Sequence, residues 1–119
     1  MTEPLTANRV AMQLAALGRD LDGTVKALDS AEREAVNRRE DYTLANARAF
    51  LRCEGSVDFR KNSALVETTV ERLAAETAEV VVRGIRRQLD AIKTRIDIGR
   101  SVGAAMRSEI SLSQTGHTP

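Results

Sequence analysis

The sequence predicts an all-α fold: a long antiparallel helical hairpin, coiled-coil-like and self-associating. Three observations predict it. Two long segments carry apolar or small residues at alternating three- and four-residue spacing, the pattern of a heptad seam. One clear internal turn, Cys53-Glu54-Gly55-Ser56, separates them. The 119 residues include only two Pro and seven Gly, and their aromatics are one Tyr and two Phe, with no Trp. That composition disfavours a turn-rich β fold, and it leaves Ala, Val, Leu and Ile to fill thin helical layers.

The first arm is expected over about residues 5–53. Pro4 suits a helix start, because its missing N–H would be unpaired there anyway. Leu14, Leu21, Leu28, Ala35, Tyr42 and Ala49 recur every seven residues, with Leu17, Thr24, Ala31, Arg38, Ala45 and Arg52 between them. The seam is strong from Leu14 to Leu28, then becomes Ala-rich and is interrupted by Arg38. Gly18 and Gly23 each cost about 1 kcal/mol relative to Ala inside a helix. A break between them would give three helices per chain.

The turn is expected near Gly55, which can take the left-handed conformation that closes a helix. Ser56 is suited to cap the next helix, and Asp58 places negative charge in its first turn. So short a connection makes the flanking helices antiparallel neighbours. Phe50, Leu51 and Phe59 bracket the turn, with Arg48, Arg52, Arg60 and Lys61 around them. Phe50, Gly55, Ser56, Phe59 and Arg60 are the candidate tip residues. They either close the hairpin or dock on a partner.

The second arm is expected over about residues 57–110. Its seam is Ile85, Leu89, Ile92, Ile96, Gly99, Gly103, Met106 and Ile110. Val80-Val81-Val82 is β-branched, but helix formers flank it and it has no second strand to pair with. Residues 111–119 are polar and unpatterned, and read as a flexible tail. The organisation expected is one domain over residues 1–110. Val66, Val70, Val81, Val82, Ile98 and Val102 add apolar surface outside a narrow seam, and two helices alone would leave it wet. Self-association into a homodimer or higher bundle is the expected remedy.

Composition removes several functions. Cys53 is the single Cys, which excludes a disulfide framework and a Cys-based zinc site. The single His, His117, lies in the polar tail, so a His-rich metal or catalytic site within one chain is excluded. No apolar run approaches the roughly 18 residues that span a bilayer. The first residues lack the basic-then-apolar layout of a signal peptide. A cytoplasmic setting is expected, with no membrane, cofactor or small-molecule substrate. No phosphate loop, nucleophile elbow or metal-ligand spacing is present, so no enzymatic activity is expected.

Net charge is +1 but unevenly spread. Residues 1–79 hold 11 Lys and Arg against 14 Asp and Glu; residues 80–119 hold 7 against 3. Arg86, Lys93, Arg100 and Arg107 stand seven residues apart, one line at roughly 10.5 Å intervals along a helix. Arg83, Arg87 and Arg95 lie nearby. Such a line suits phosphates. It equally suits coiled-coil flanks whose heads meet Asp20, Asp22, Asp29, Glu32, Glu34, Glu40 and Asp41 of the first arm. Gly99 and Gly103, four residues apart, flatten one helix face and predict close packing against another helix, of the same chain or of a second one.

The stretch Tyr42 to Ser56 with Arg60, then Glu71-Arg-Leu-Ala-Ala-Glu76 and Arg95-Ile-Asp-Ile-Gly99-Arg-Ser, resembles small helical proteins encoded by tailed phages of actinobacteria. The resemblance covers about residues 40–112. It implies a phage early-region protein, encoded near replication and recombination genes and acting in the host cytoplasm as an accessory to single-strand annealing or strand exchange. It carries no site residues with it. The functional expectation is a non-enzymatic oligomeric interaction protein whose partners are itself, a DNA-handling protein and DNA. The alternative is a virion or host-regulatory protein without DNA contact.

Overall fold

The computed structural model describes residues 5–115, and they form an all-α helical hairpin without strands. Its elements are α1 (Ala7–Arg52), α2 (Val57–Glu67) and α3 (Thr69–Thr115). Pro4 and His117 lie outside the described residues. Thr6 caps α1 instead: its Oγ1 accepts from the Arg9 N–H at 3.2 Å, and its carbonyl accepts from the Val10 N–H at 3.0 Å.

Helix α1 runs unbroken through Gly18 and Gly23, so the break expected there does not form. Neither glycine has any atom within 4 Å of where a Cβ would sit. Their cost is one of propensity alone, about 1 kcal/mol each. Tertiary packing of the Leu14, Leu17 and Leu21 face offsets it.

The break falls in the second arm, which the seam had suggested would be continuous. Thr68 stands between α2 and α3 with φ −104° and ψ 24°, and it is 3% exposed. Its hydroxyl donates to the Ala64 carbonyl at 2.7 Å, and the Thr69 hydroxyl donates to Val66 O at 2.8 Å. Such back-bonding competes with the helical ladder and bends it. Asn46 of α1 holds the site, its Nδ2 donating to Thr68 Oγ1 at 3.3 Å.

Contacts divide the chain into two units. One joins the residues up to Val25 with those from Arg87 onward. Here Val10, Leu14, Leu17 and Leu21 of α1 meet the expected seam of α3, where Ile92 is 4% exposed and Leu89, Ile96, Gly99, Gly103 and Met106 are half-buried. Ile110, the last residue of the expected seam, is 49% exposed. Helix α3 continues to Thr115, so residues 111–115 are helical where an unpatterned tail was expected.

The other unit comprises Lys26 to Arg86. Its core is thin and small: Ala35, Ala78 and Val82 with Leu28 and Ala31 packed on them, and Ala49, Ala64 and Ala75 nearer the turn. Arg38 does not interrupt this core, because it faces outward and pairs with Glu34 at 2.7 Å. Glu71 and Arg72 sit beside the α2–α3 break, and their Oε2 and Nε are buried without a hydrogen-bond partner.

At the tip, Gly55 has φ +125°, a conformation that L side chains rarely adopt. Ser56 caps α2, its Oγ accepting from the Phe59 N–H at 3.2 Å. Arg60 reaches back across the turn. Its Nε and Nη2 both donate to the Phe50 carbonyl, at 3.2 and 3.1 Å, and its guanidinium lies 4.2 Å from the Phe50 ring centroid. One side chain thus occupies an orphan carbonyl of the last turn of α1 and places positive charge at its negative end.

Candidate cationic and apolar surfaces

The cations singled out by the sequence fall in both units. In the Lys26–Arg86 unit, Arg83 and Arg86 are exposed. Arg86 Nη2 reaches Glu32 Oε1 of α1 at 3.7 Å, and Arg39 of α1 pairs with Glu79 of α3. These pairs link the helices, as expected for coiled-coil flanks.

In the unit from Arg87 onward the outcome differs. Lys93, Arg100 and Arg107 are all exposed and succeed one another every two turns of α3, roughly 10.5 Å apart. No ion pair holds them among the described residues. Several of the α1 carboxylates named as coiled-coil partners pair with other cations. Asp29 pairs with Arg33, Glu34 and Asp41 with Arg38, and only Glu32 pairs with a member of the line. Asp90 and Asp97 border the line three residues before Lys93 and Arg100, and Arg87 and Arg95 add positive charge beside it. From Arg87 to Thr115 the helix carries five Lys and Arg against three Asp and Glu.

The three aromatics, Tyr42, Phe50 and Phe59, all belong to the other unit. The cationic line therefore offers charge without a stacking platform.

Gly99 and Gly103 find their partner within the chain. A Cβ on Gly99 would fall 2.7 Å from Leu14 Cδ2, and one on Gly103 would fall 3.7 Å from Val10 Cγ1. The same unit holds an apolar groove of about 470 Å³, with Leu5, Val10, Leu14 and Leu17 on one side and Ile98 and Val102 on the other. Asp20 and Arg95 are its charged lining residues. No cluster of three metal-ligating side chains occurs among the described residues. Cys53 is half-buried, its thiol donating to the Glu54 carbonyl at 3.5 Å. No helix among the described residues is long and apolar enough to cross a membrane.

The apolar residues outside the seam divide. Val82 is buried and Val102 half-buried, whereas Val66, Val70, Val81 and Ile98 are exposed. The sequence flagged these residues but did not reveal that Val66 and Val70 belong to an ordered outer row of the Lys26–Arg86 unit. Comparison with protein-family models, curated proteins and solved structures gave no match.

Proposed function

We propose that this chain is a non-enzymatic, self-associating helical interaction protein that contacts DNA through phosphates. The observation that carries the reading is the Lys93, Arg100 and Arg107 line, exposed and without ion pairs among the described residues. Three cations on one helix neutralise phosphates and release counterions, which binds nucleic acid without reading sequence. Aspartates at 90 and 97 keep the net field modest, so weak, salt-sensitive binding is expected. The resemblance to actinobacterial phage early-region proteins is consistent with an accessory role in replication or recombination in the host cytoplasm.

Fluorescence anisotropy of labelled single- and double-stranded DNA tests this at low salt. The combined variant Lys93→Glu, Arg100→Glu, Arg107→Glu is expected to lose at least about tenfold in affinity while keeping its helicity. Arg33→Glu, which reverses an exposed cation of the other unit, is the control. Unchanged affinity in the triple variant contradicts DNA contact by this line.

A second reading, a virion or regulatory protein that binds only protein, is favoured by the apolar tip. Leu51, Val57 and Phe59 are 75%, 56% and 59% exposed. It predicts no measurable DNA affinity and stable co-purification with one protein.

A further inference from the structure

The Lys26–Arg86 unit carries a second heptad row, on the outside of α2 and α3. Phe59, Ser63, Val66, Val70, Leu73, Thr77, Val80 and Gly84 follow one another at spacings of four and three residues throughout. This row is distinct from the inner one, where Ala64, Thr68, Ala75, Ala78 and Val82 are buried against α1. On the outer row Phe59 is 59% exposed, Val66 and Val70 76% each, Leu73 52% and Val80 51%. No charged residue interrupts it.

We infer that this outer row is the interface between two copies of the chain, paired antiparallel about a two-fold axis. The inference gives a surface to the self-association included in the reading above. An alternating three-four row is complementary to another helix of the same period, since each side chain enters a hole formed by four residues opposite. A second copy supplies that period without any further partner.

The order of large and small residues along the row selects the direction. Antiparallel pairing centred between Val70 and Leu73 sets Val70 against Leu73, Val66 against Thr77, Ser63 against Val80, and Phe59 against Gly84. Large thus meets small at both ends, and a two-fold axis repeats each contact. Parallel pairing would set Gly84 on Gly84, Thr77 on Thr77 and Ser63 on Ser63, leaving gaps that close packing disfavours. The flanks also agree with the antiparallel arrangement. Asn62 faces Arg83 and Thr69 faces Glu76, so no like charges oppose one another.

The row spans roughly 37 Å at about 1.5 Å per residue, and the i→i−4 bonds from Thr68 N–H to the Ala64 carbonyl and from Arg72 N–H to the Thr68 carbonyl, 3.0 Å each, carry it across the break at Thr68. With helix axes about 10 Å apart, each copy presents a flat footprint of about 400 Å², which side-chain relief enlarges. Leu65 and Val81, 42% and 49% exposed, border it. Two such footprints total about 800 Å², below the roughly 1,200–2,000 Å² of stable specific interfaces, so a weak dimer that dissociates at tens of micromolar is expected.

Sedimentation equilibrium between about 1 and 200 µM tests the assembly, with Cys53→Ser throughout to exclude accidental disulfides. The protein is expected to pass from monomer to dimer across that range. Val70→Glu is expected to remain monomeric, and Ile98→Glu, on the other unit, to dimerise as the parent does. Circular dichroism of each variant checks that helicity is retained. Direction is read by cross-linking: Ser63→Cys and Val80→Cys proteins should form a disulfide when mixed and not when alone.

A parent that stays monomeric, a dimer that survives Val70→Glu, or a Ser63→Cys protein that cross-links to itself overturns the inference. DNA affinity is scored on Val70→Glu separately, because its cationic line is untouched. Failure of this interface and failure of the phosphate reading are therefore distinguishable.

Discussion

Leu14 and Gly99 face each other so closely that a Cβ on Gly99 would lie 2.7 Å from the Leu14 Cδ2 and 3.3 Å from its Cγ. A side chain at position 99 would therefore have to displace Leu14. Ala there gains about 1 kcal/mol of helix propensity but overpacks, which costs typically about 1–3 kcal/mol. Gly99→Ala is expected to be destabilising by about 1 kcal/mol in urea unfolding, and shortening Leu14 to Ala beside it should remove that penalty. Gly18→Ala and Gly23→Ala, into open space, should each add about 0.5–1 kcal/mol. A Gly99→Ala protein stabilised as much as Gly18→Ala would mean that α3 does not approach α1 at that point.

The turn depends on two adjacent residues. Gly55 has φ +125°, and a Cβ would meet Phe59 Cδ1 at 3.1 Å. Gly55→Ala is therefore expected to cost about 1–3 kcal/mol through backbone strain. Ser56→Ala removes the acceptor for the Phe59 N–H and should cost about 1 kcal/mol. Chemical denaturation of both variants checks these values, and a Gly55→Ala protein of parental stability would contradict the observed turn.

Arg60 tests whether the guanidinium fork or simple charge closes the tip. Arg60→Ala loses two hydrogen bonds to the Phe50 carbonyl and the ring contact, and is expected to cost about 2 kcal/mol. Arg60→Lys keeps the charge but lacks the planar fork, so it should recover only part of that loss. Equal stability of the Lys and Arg proteins would show that charge alone suffices.

Thr68→Val keeps a β-branched side chain of similar shape and removes only the hydroxyl. The Ala64 carbonyl and the Asn46 amide each lose a partner, so a cost of about 1–2 kcal/mol is expected. Amide hydrogen exchange should show greater protection across residues 66–70 if the break depends on that hydroxyl. Unchanged exchange would place the cause of the break in the backbone alone.

These residues also show what the sequence made legible. The seams of α1 and α3 and the Gly55-Ser56 turn were readable, because periodicity and cap chemistry are local. The break at Thr68 was not. Thr68-Thr69-Val70 contains no Gly or Pro, and its effect depends on Asn46, 22 residues away. Gly99 was legible as a point of close approach, but naming Leu14 requires the register of α1 against α3. Among the charges, pairs such as Asp29–Arg33 follow from helical spacing, whereas Glu32–Arg86 requires the fold. The apolar residues at 66, 70 and 73 were visible as surplus, but their outer row emerged only once the inner face was known.

The salt dependence of duplex DNA binding tests the functional account most directly. If Lys93, Arg100 and Arg107 each neutralise one phosphate, log affinity should fall against log salt with a slope of about −2.7. Replacing all three by Gln should bring that slope close to zero without changing helicity. A slope that the triple Gln protein shares with the parent would contradict phosphate recognition by this line.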